Sequence, residues 1–196
     1  PSGAGKTHLA AGVYRLFREK HELPEGTLEE TRLRAPRAVL IRAADFSRQF
    51  GESIETGTTT AWRKDLQSAA LFVLDEVGQL DGKHVAQEQL CQVLDYLTAR
   101  RRAIVVTASA APHALRDLSP RLRSRLSGGL VMPVALPSPA AKAEIVRQLA
   151  ARRELKLSEE AVERLAAGPW RTFGELRAAL MTLDFAQAVE QRLLKE

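Results

Sequence analysis

The residues Gly3-Ala4-Gly5-Lys6-Thr7 match the phosphate-binding loop pattern G-x-x-x-x-G-K-[ST] from its fourth position onward. In such a loop the glycines let backbone N–H groups turn toward a phosphate, and the lysine adds a positive charge. Apolar residues at helical spacing follow the loop and predict that it opens onto a helix N-terminus. This arrangement constrains the chain to an α/β fold in which a strand precedes the loop. We therefore expect the sequence to be part of a longer chain that supplies this strand.

The predicted nucleotide-binding residues are the loop and the start of its helix. They are Pro1, Ser2, Gly3, Ala4, Gly5, Lys6, Thr7 and His8. A short Gly-Lys-Thr string also occurs by chance, as a glycine-rich turn before a surface helix. The rest of the sequence must decide between these interpretations.

A second element is the apolar run from Ala69 to Leu74, which ends in Asp75 and Glu76. An unbroken apolar run is typical of a parallel strand that is buried on both faces, and ligands bind beyond the carboxyl ends of such strands. This is the Walker B arrangement. Asp75, together with Thr7, is the predicted Mg²⁺ site, and Glu76 is predicted to polarise the attacking water. The alternative is that Asp75 caps a helix.

Three further segments read as strands: Ala38–Arg42, the run from Ala103 to Ser109, and Gly128–Val134. Thr107 and Ser109, at the end of the second of these, are candidate sensors of the γ-phosphate, although a threonine at a strand end is more often only a strand residue. Between the last two, Pro120 is placed to begin a helix.

The overall composition excludes several classes of protein. The 196 residues contain one cysteine, Cys91, so an internal disulfide is impossible, and the four histidines are scattered, which argues against a zinc site. No apolar run approaches the length of a membrane span. The 29 Lys and Arg residues against 24 Asp and Glu give a net charge of +5, which permits contact with nucleic acid but does not establish it.

The domain organisation follows from the string Leu136-Pro137-Ser138-Pro139, which is typical of a boundary. We predict a nucleotide-binding α/β domain over residues 1–135, without its N-terminal strand. Residues 136–196 show only helical patterns and are predicted to form a small all-helical lid domain. The expected fold is a P-loop AAA+ domain with a parallel sheet flanked by helices, followed by this lid.

With these elements placed, the chain resembles the AAA+ ATPase domain of the DnaA family of bacterial chromosomal replication initiators. The resemblance covers nearly the whole chain. Its most specific part is the string from Arg121 to Leu130, which is similar to the family's arginine-finger box. The other segments that carry it are Gly5–Leu9, Ala44–Phe46 to Trp62–Arg63, the Walker B strand and Asp81–Lys83.

The resemblance implies a slow ATPase that works as a switch, with ATP or ADP and Mg²⁺ as cofactors. It assigns Arg125 a catalytic role, together with Asp75 and Glu76, as the arginine finger that reaches ATP on the adjacent copy. The implied partners are further copies of the chain in an ATP-dependent filament, origin DNA in single- and double-stranded form, and the replicative helicase or other initiator proteins. The implied location is the cytoplasm, in association with the nucleoid.

The sequence departs from the family pattern at several positions. Gly174 stands where the lid helix carries a sensor arginine, for which Arg171 or Arg177 is a candidate substitute. Of the three family residues after Walker B that contact single-stranded DNA, only Lys83 matches, so Lys83 is the DNA-binding candidate. The other two positions are Val85 and Ala86, and Gly51 replaces a branched apolar contact. We expect weaker or rearranged strand binding.

Two alternatives to an initiator module stay open. One is a DnaA-like regulatory AAA+ protein that acts on the initiator without itself melting DNA, which the altered strand contacts favour. The other is a helicase or transposition loader ATPase, against which the arginine box argues.

Overall fold

The computed structural model of the chain describes residues 3–22, 35–168, 170 and 172–193. The strands in this part are β1 (Ala38–Arg42), β2 (Leu71–Asp75) and β3 (Ala103–Val106). The helices up to residue 133 are α1 (Lys6–Lys20), α2 (Ala43–Glu55), α3 (Thr59–Gln67), α4 (His84–Ala99) and α5 (Pro120–Ser127). They are followed by α6 (Pro139–Ala151), α7 (Glu159–Ala167) and α8 (Phe173–Leu193), and short 3₁₀ turns lie at Val77–Leu80 and Pro112–Ala114.

The three strands form a parallel sheet in the order β1-β2-β3, so β2 lies in the centre. In this register Arg42 pairs with Asp75, and Leu74 pairs with Val106. All five residues of β2 are buried, as its apolar run predicted. β1 and β3 are only partly buried, because they are the edge strands of the described sheet. The carboxyl ends of all three strands lie along the same edge.

Alternate side chains of β2 point to different helices. Leu71 and Val73 pack with Ala10 of α1, whereas Phe72 and Leu74 belong to the main core, which includes residues from α2, α4 and α5. The parallel sheet therefore carries helices on both faces, which is the arrangement that buries such a sheet. Each fully buried leucine or phenylalanine contributes about 1.5–3 kcal/mol to this core.

The prediction of a strand at Gly128–Val134 is wrong. This segment is neither strand nor helix, and its apolar residues Leu130, Val131 and Met132 are exposed. A strand needs a neighbour for its backbone N–H and C=O groups, and no described strand pairs with these residues. Pro133 also lacks a backbone donor. The predicted strand from Ala103 to Ser109 is shorter than expected, because β3 ends at Val106.

The chain forms two compact units. One is Lys6–Pro133, and the other combines Gly3–Gly5 with the described part of Val134–Glu196. The second unit is helical after residue 138, and its core contains Val146, Val162, Leu176 and Leu180. Ser138 and Ser158 cap α6 and α7, each accepting a backbone N–H bond of 3.2 Å. The predicted domain boundary between residues 135 and 136 stays a prediction.

Among the residues that the structure describes, no helix is both long and apolar enough to cross a membrane.

Candidate functional site

The loop before α1 has the backbone that its glycines predicted. Gly3 and Gly5 have φ angles of 78° and 90°, in the left-handed region that glycine adopts without strain. α1 then begins at Lys6, so Thr7 lies in its first turn. Pro1 and Ser2 of the predicted set lie outside the described residues. Ala4 is buried, and His8 is exposed on α1.

Thr7 contacts the end of the central strand. Its hydroxyl Oγ1 lies 2.9 Å from Oδ2 and 3.2 Å from Oδ1 of Asp75, to which it donates a hydrogen bond. The two residues are 68 positions apart in the sequence. The fold thus brings together the hydroxyl and the carboxylate that were predicted to form one Mg²⁺ site.

Asp75 is almost completely enclosed, with 4% of its surface exposed, and it has a second hydroxyl partner. Thr107 Oγ1 donates to Asp75 Oδ1 over 2.5 Å. The contact follows from the register, because Leu74 pairs with Val106 and the next residues of the two strands are Asp75 and Thr107. Two hydroxyl donors satisfy a buried carboxylate that would otherwise be costly.

Glu76 has a strained backbone, with φ 59° and ψ 56°. A non-glycine residue in this left-handed region costs about 1–2 kcal/mol. Thr107 holds the strained residue in place, because its Oγ1 accepts the Glu76 N–H over 2.9 Å and its carbonyl accepts the Val77 N–H over 3.0 Å. Strain of this kind concentrates at functional sites. The Glu76 side chain is exposed and accepts a hydrogen bond from the Gln79 amide.

Ser109, Lys83, Gly174 and Arg177 are all exposed. Ser109 lies close to Gly78, since a Cβ atom added to Gly78 would be 3.8 Å from the Ser109 hydroxyl oxygen. Lys83 is exposed at the N-cap of α4. Gly174 is exposed near the start of α8, as is Arg177, whereas Arg171 lies outside the described residues.

Arg125 lies on α5 and forms an ion pair with Asp95 of α4. Its side chain is 43% exposed, and that of Asp95 is 37% exposed. The hydrogen bond from Arg125 lowers the pKa of Asp95, and the same bond raises the pKa of Arg125. Arg121, one turn earlier, bonds both Asp95 and Glu88. The two arginines are four residues apart and therefore share a helix face.

Sequence reasoning missed the carboxylates of α4. Glu88 and Asp95 are seven residues apart and therefore share a face of the helix. It also missed Gln87, which is completely buried. The Gln87 amide donates to the carbonyls of Leu80 and Asp117 and accepts the Ser119 N–H over 2.7 Å. Gln87 thereby ties the segment after β2 to the start of α5.

The oxygen atoms of Thr7 and Asp75 fit a magnesium ion. In nucleotide sites Mg²⁺ takes one or two protein oxygens and completes its shell with phosphate and water. In the described ranges no group of three or more His, Cys, Asp or Glu side chains is placed to hold a metal by itself. The donor set therefore suits an ion that arrives with a nucleotide.

A cavity of about 560 Å³ lies in the helical unit, and apolar atoms dominate its walls. Trp170, Leu165 and Leu183 line it, and none of the predicted site residues does.

Parallel strands covered on both faces by helices, with a phosphate loop that opens α1, define an α/β P-loop domain of the AAA+ class. Residues 1–133 match the family model described as the bacterial DnaA ATPase domain. The chain belongs to this family of bacterial DnaA ATPase domains.

Proteins of similar sequence carry the name of the same family. The chromosomal replication initiator protein DnaA of Sphingopyxis alaskensis is 31% identical over 183 residues, which is 93% of this chain and 38% of that protein. The DnaA protein of Brucella abortus is 28% identical over 196 residues, which is 97% of this chain and 37% of that protein. The chain thus spans less than two-fifths of the length of these relatives.

Solved structures share the fold. Domain III of the Thermotoga maritima replication initiation protein DnaA superposes with a TM-score of 0.84 at 23% identity, covering 97% of this chain and 75% of that one. A replication initiator DnaA bound to AMPPCP and single-stranded DNA gives a TM-score of 0.78 at 23% identity, covering 99% of this chain and 56% of that one.

Proposed function

We propose that this chain is the ATP-dependent switch of a DnaA-type replication initiator. It binds ATP with Mg²⁺ at the loop before α1, hydrolyses it slowly, and assembles with further copies on origin DNA to help open the duplex. The observation that carries the proposal is the contact between Thr7 and Asp75, over 2.9 Å, at the end of a buried strand.

The loop supplies backbone N–H groups from Gly3–Gly5 and the charge of Lys6 to the phosphates of the nucleotide. Thr7 and Asp75 hold Mg²⁺, which when bound neutralises charge on the phosphates. Glu76 orients the attacking water and takes up its proton. Thr107 holds the Asp75 carboxylate and the Glu76 backbone, and Thr107 and Ser109 are the proposed sensors.

Arg125 acts between copies. Its exposed guanidinium reaches the nucleotide of a neighbouring copy, as arginine fingers do. ATP supplies the anion that this contact needs and ADP does not, so assembly depends on the bound nucleotide. Origin DNA, the replicative helicase and other initiator proteins are the proposed partners, and the cytoplasmic nucleoid is the proposed location.

Replacing Lys6 by alanine tests the nucleotide site. We expect Lys6→Ala to lose ATP binding in isothermal titration calorimetry, because the phosphates lose their cationic partner. Lys20→Ala is the matched control, since it removes the same charge from the other end of α1. Equal ATP affinity of Lys6→Ala and the control would refute the assignment.

A regulatory role without strand melting is a second candidate, favoured by the side chains that surround Lys83. Ala86 is 5% exposed, so its position faces the core and offers no contact to DNA, and Val85 presents an exposed apolar side chain. A Cβ added at Gly51 would have no neighbour within 4 Å, so this position is open but carries no side chain.

Fluorescence anisotropy with a single-stranded oligonucleotide separates the two candidates. An initiator binds the strand with ATP more tightly than with ADP, and Lys83→Ala weakens this binding. A regulator shows no ATP-dependent strand binding while it still binds the nucleotide.

A further inference from the structure

Asp95 of α4 gathers the two exposed arginines of α5. It bonds Arg125 through both carboxylate oxygens: Oδ1 accepts from Nε, and Oδ2 accepts from Nη2 over 3.3 Å. The same Oδ2 accepts from Nη2 of Arg121 over 3.3 Å. Arg121 is held in turn by Glu88, which accepts from its Nη1. Asp95 thus bonds both arginines, and one of them, Arg121, is also bonded to Glu88.

The way in which Asp95 holds Arg125 leaves part of the guanidinium available. A guanidinium has five N–H donors, and Asp95 engages the Nε edge with one N–H of Nη2. Both N–H groups of Nη1 and the second N–H of Nη2 lie outside this pair. One N–H of Nη1 and this second N–H of Nη2 form the terminal edge, which can bind phosphate oxygens in bidentate fashion.

Arg37 is bonded to a carboxylate in a different way from Arg125. It bonds Asp65 through Nη1 and Nη2, so its terminal edge is occupied within the chain. Nη1 of Arg37 also donates to the Asp65 carbonyl over 3.1 Å. The terminal edge of Arg37 is thus used in an ion pair within the chain, whereas the pair of Arg125 with Asp95 uses the Nε edge instead.

We propose that Asp95 is the positioning residue of Arg125. It fixes the guanidinium by its Nε edge and presents the terminal edge to an anion outside the chain, the terminal phosphate of a nucleotide bound to a second copy. The inference rests on the proposed intersubunit role of Arg125. A side chain that is ordered before binding loses less rotamer freedom when the contact forms.

The carboxylate also has an opposing effect, because its negative charge weakens the attraction between Arg125 and phosphate. The substitutions separate the two effects. Asp95→Asn removes the charge but keeps one acceptor oxygen, Asp95→Ala removes both, and Asp95→Glu keeps the carboxylate on a longer side chain.

The test is nucleotide-dependent assembly of the full-length protein, measured as the half-assembly concentration in light scattering with ATP and with ADP. We expect Asp95→Ala to raise the concentration needed with ATP by about twofold to fivefold, the usual range for an exposed ion pair. Asp95→Asn should raise it less, and Asp95→Glu should restore at least half of the loss. ATP affinity by calorimetry and the melting temperature should not change.

Glu88→Ala is the matched control, because it removes a carboxylate of the same helix face that bonds Arg121 alone. We expect it to change assembly less than Asp95→Ala does. Assembly of Asp95→Ala or Asp95→Asn at or below the wild-type concentration would overturn the inference, because Asp95 would then compete for Arg125.

Failure of the underlying role gives a different result. If Arg125→Ala assembles with ATP as the wild type does, the intersubunit role of Arg125 fails and the positioning role fails with it. If Arg125→Ala blocks assembly but Asp95→Ala leaves it unchanged, only the positioning role is overturned.

Discussion

Two carboxylates of this molecule each join distant parts of the chain, but they do so in opposite surroundings. Asp75 is 4% exposed and is held by the hydroxyls of Thr7 and Thr107. The Asp95 side chain is 37% exposed and is held by the guanidinium groups of Arg121 and Arg125. Water and salt screen the second arrangement much more than the first. The contacts of Asp75 are therefore fixed by the fold, whereas those of Asp95 can rearrange when a partner arrives.

The largest expected effect concerns Glu76, which borders the enclosed site formed by Thr7, Asp75 and Thr107. Glu76→Gln should slow ATP turnover by about 100-fold, because the amide cannot take up a proton from the attacking water. Nucleotide binding should remain. Turnover is measured by phosphate release under saturating ATP, with Gln79→Ala as the control, since Gln79 bonds the Glu76 side chain but has no proposed chemical role. Wild-type turnover in Glu76→Gln would remove Glu76 from the mechanism.

A change at Thr107 tests how rigid the enclosed site is. Thr107→Val removes the hydroxyl that donates to buried Asp75 and accepts from the Glu76 N–H, so the free energy of unfolding should fall by about 1–3 kcal/mol. Urea denaturation measures this, and Thr107→Ser, which keeps the hydroxyl, should lose clearly less.

Arg125→Ala is the corresponding change at the exposed site, in which Asp95 bonds Arg121 and Arg125. Its midpoint of denaturation should stay near that of the wild type, because exposed ion pairs contribute little to stability. If Arg125→Ala is destabilised as much as Thr107→Val, the contrast between the two sites is wrong.

The smallest effect is in the titration of Asp95. The hydrogen bond from Arg125 lowers its pKa below the ordinary value, so the pair is present at neutral pH and is lost only as the pH falls through this lowered pKa. The ion pair therefore stabilises the fold fully above the pKa that the Asp95 carboxyl has in the unfolded chain, about 3.9. NMR titration of the carboxyl carbon should give a higher pKa in Arg125→Ala than in the wild type. An unchanged pKa would show that the pair does not persist in solution.

The enclosed site could be predicted from the sequence because its parts are local or follow from parallel strands. Asp75 and Thr107 each come at the end of a predicted strand, and neighbouring parallel strands end at the same edge of the sheet. The strained backbone of Glu76 could not be predicted, because it depends on tertiary hydrogen bonds to Thr107.

The pairing of Asp95 with Arg125 could not be predicted either. Their helices are joined through β3 and irregular segments, and the contact depends on how α4 and α5 pack. The wrong strand at Gly128–Val134 has a related cause. Its apolar composition favours a strand, but composition cannot tell whether a neighbouring strand is present to pair with it.

The most direct test of the central claim is the magnesium dependence of ATP binding. Calorimetric titrations of ATP are compared for the wild type and Asp75→Asn, each with and without Mg²⁺. If Thr7 and Asp75 hold the ion, the wild type binds ATP more tightly with Mg²⁺ than without it. Asp75→Asn should lose most of this difference while it remains folded. The same gain from Mg²⁺ in both proteins would contradict the account.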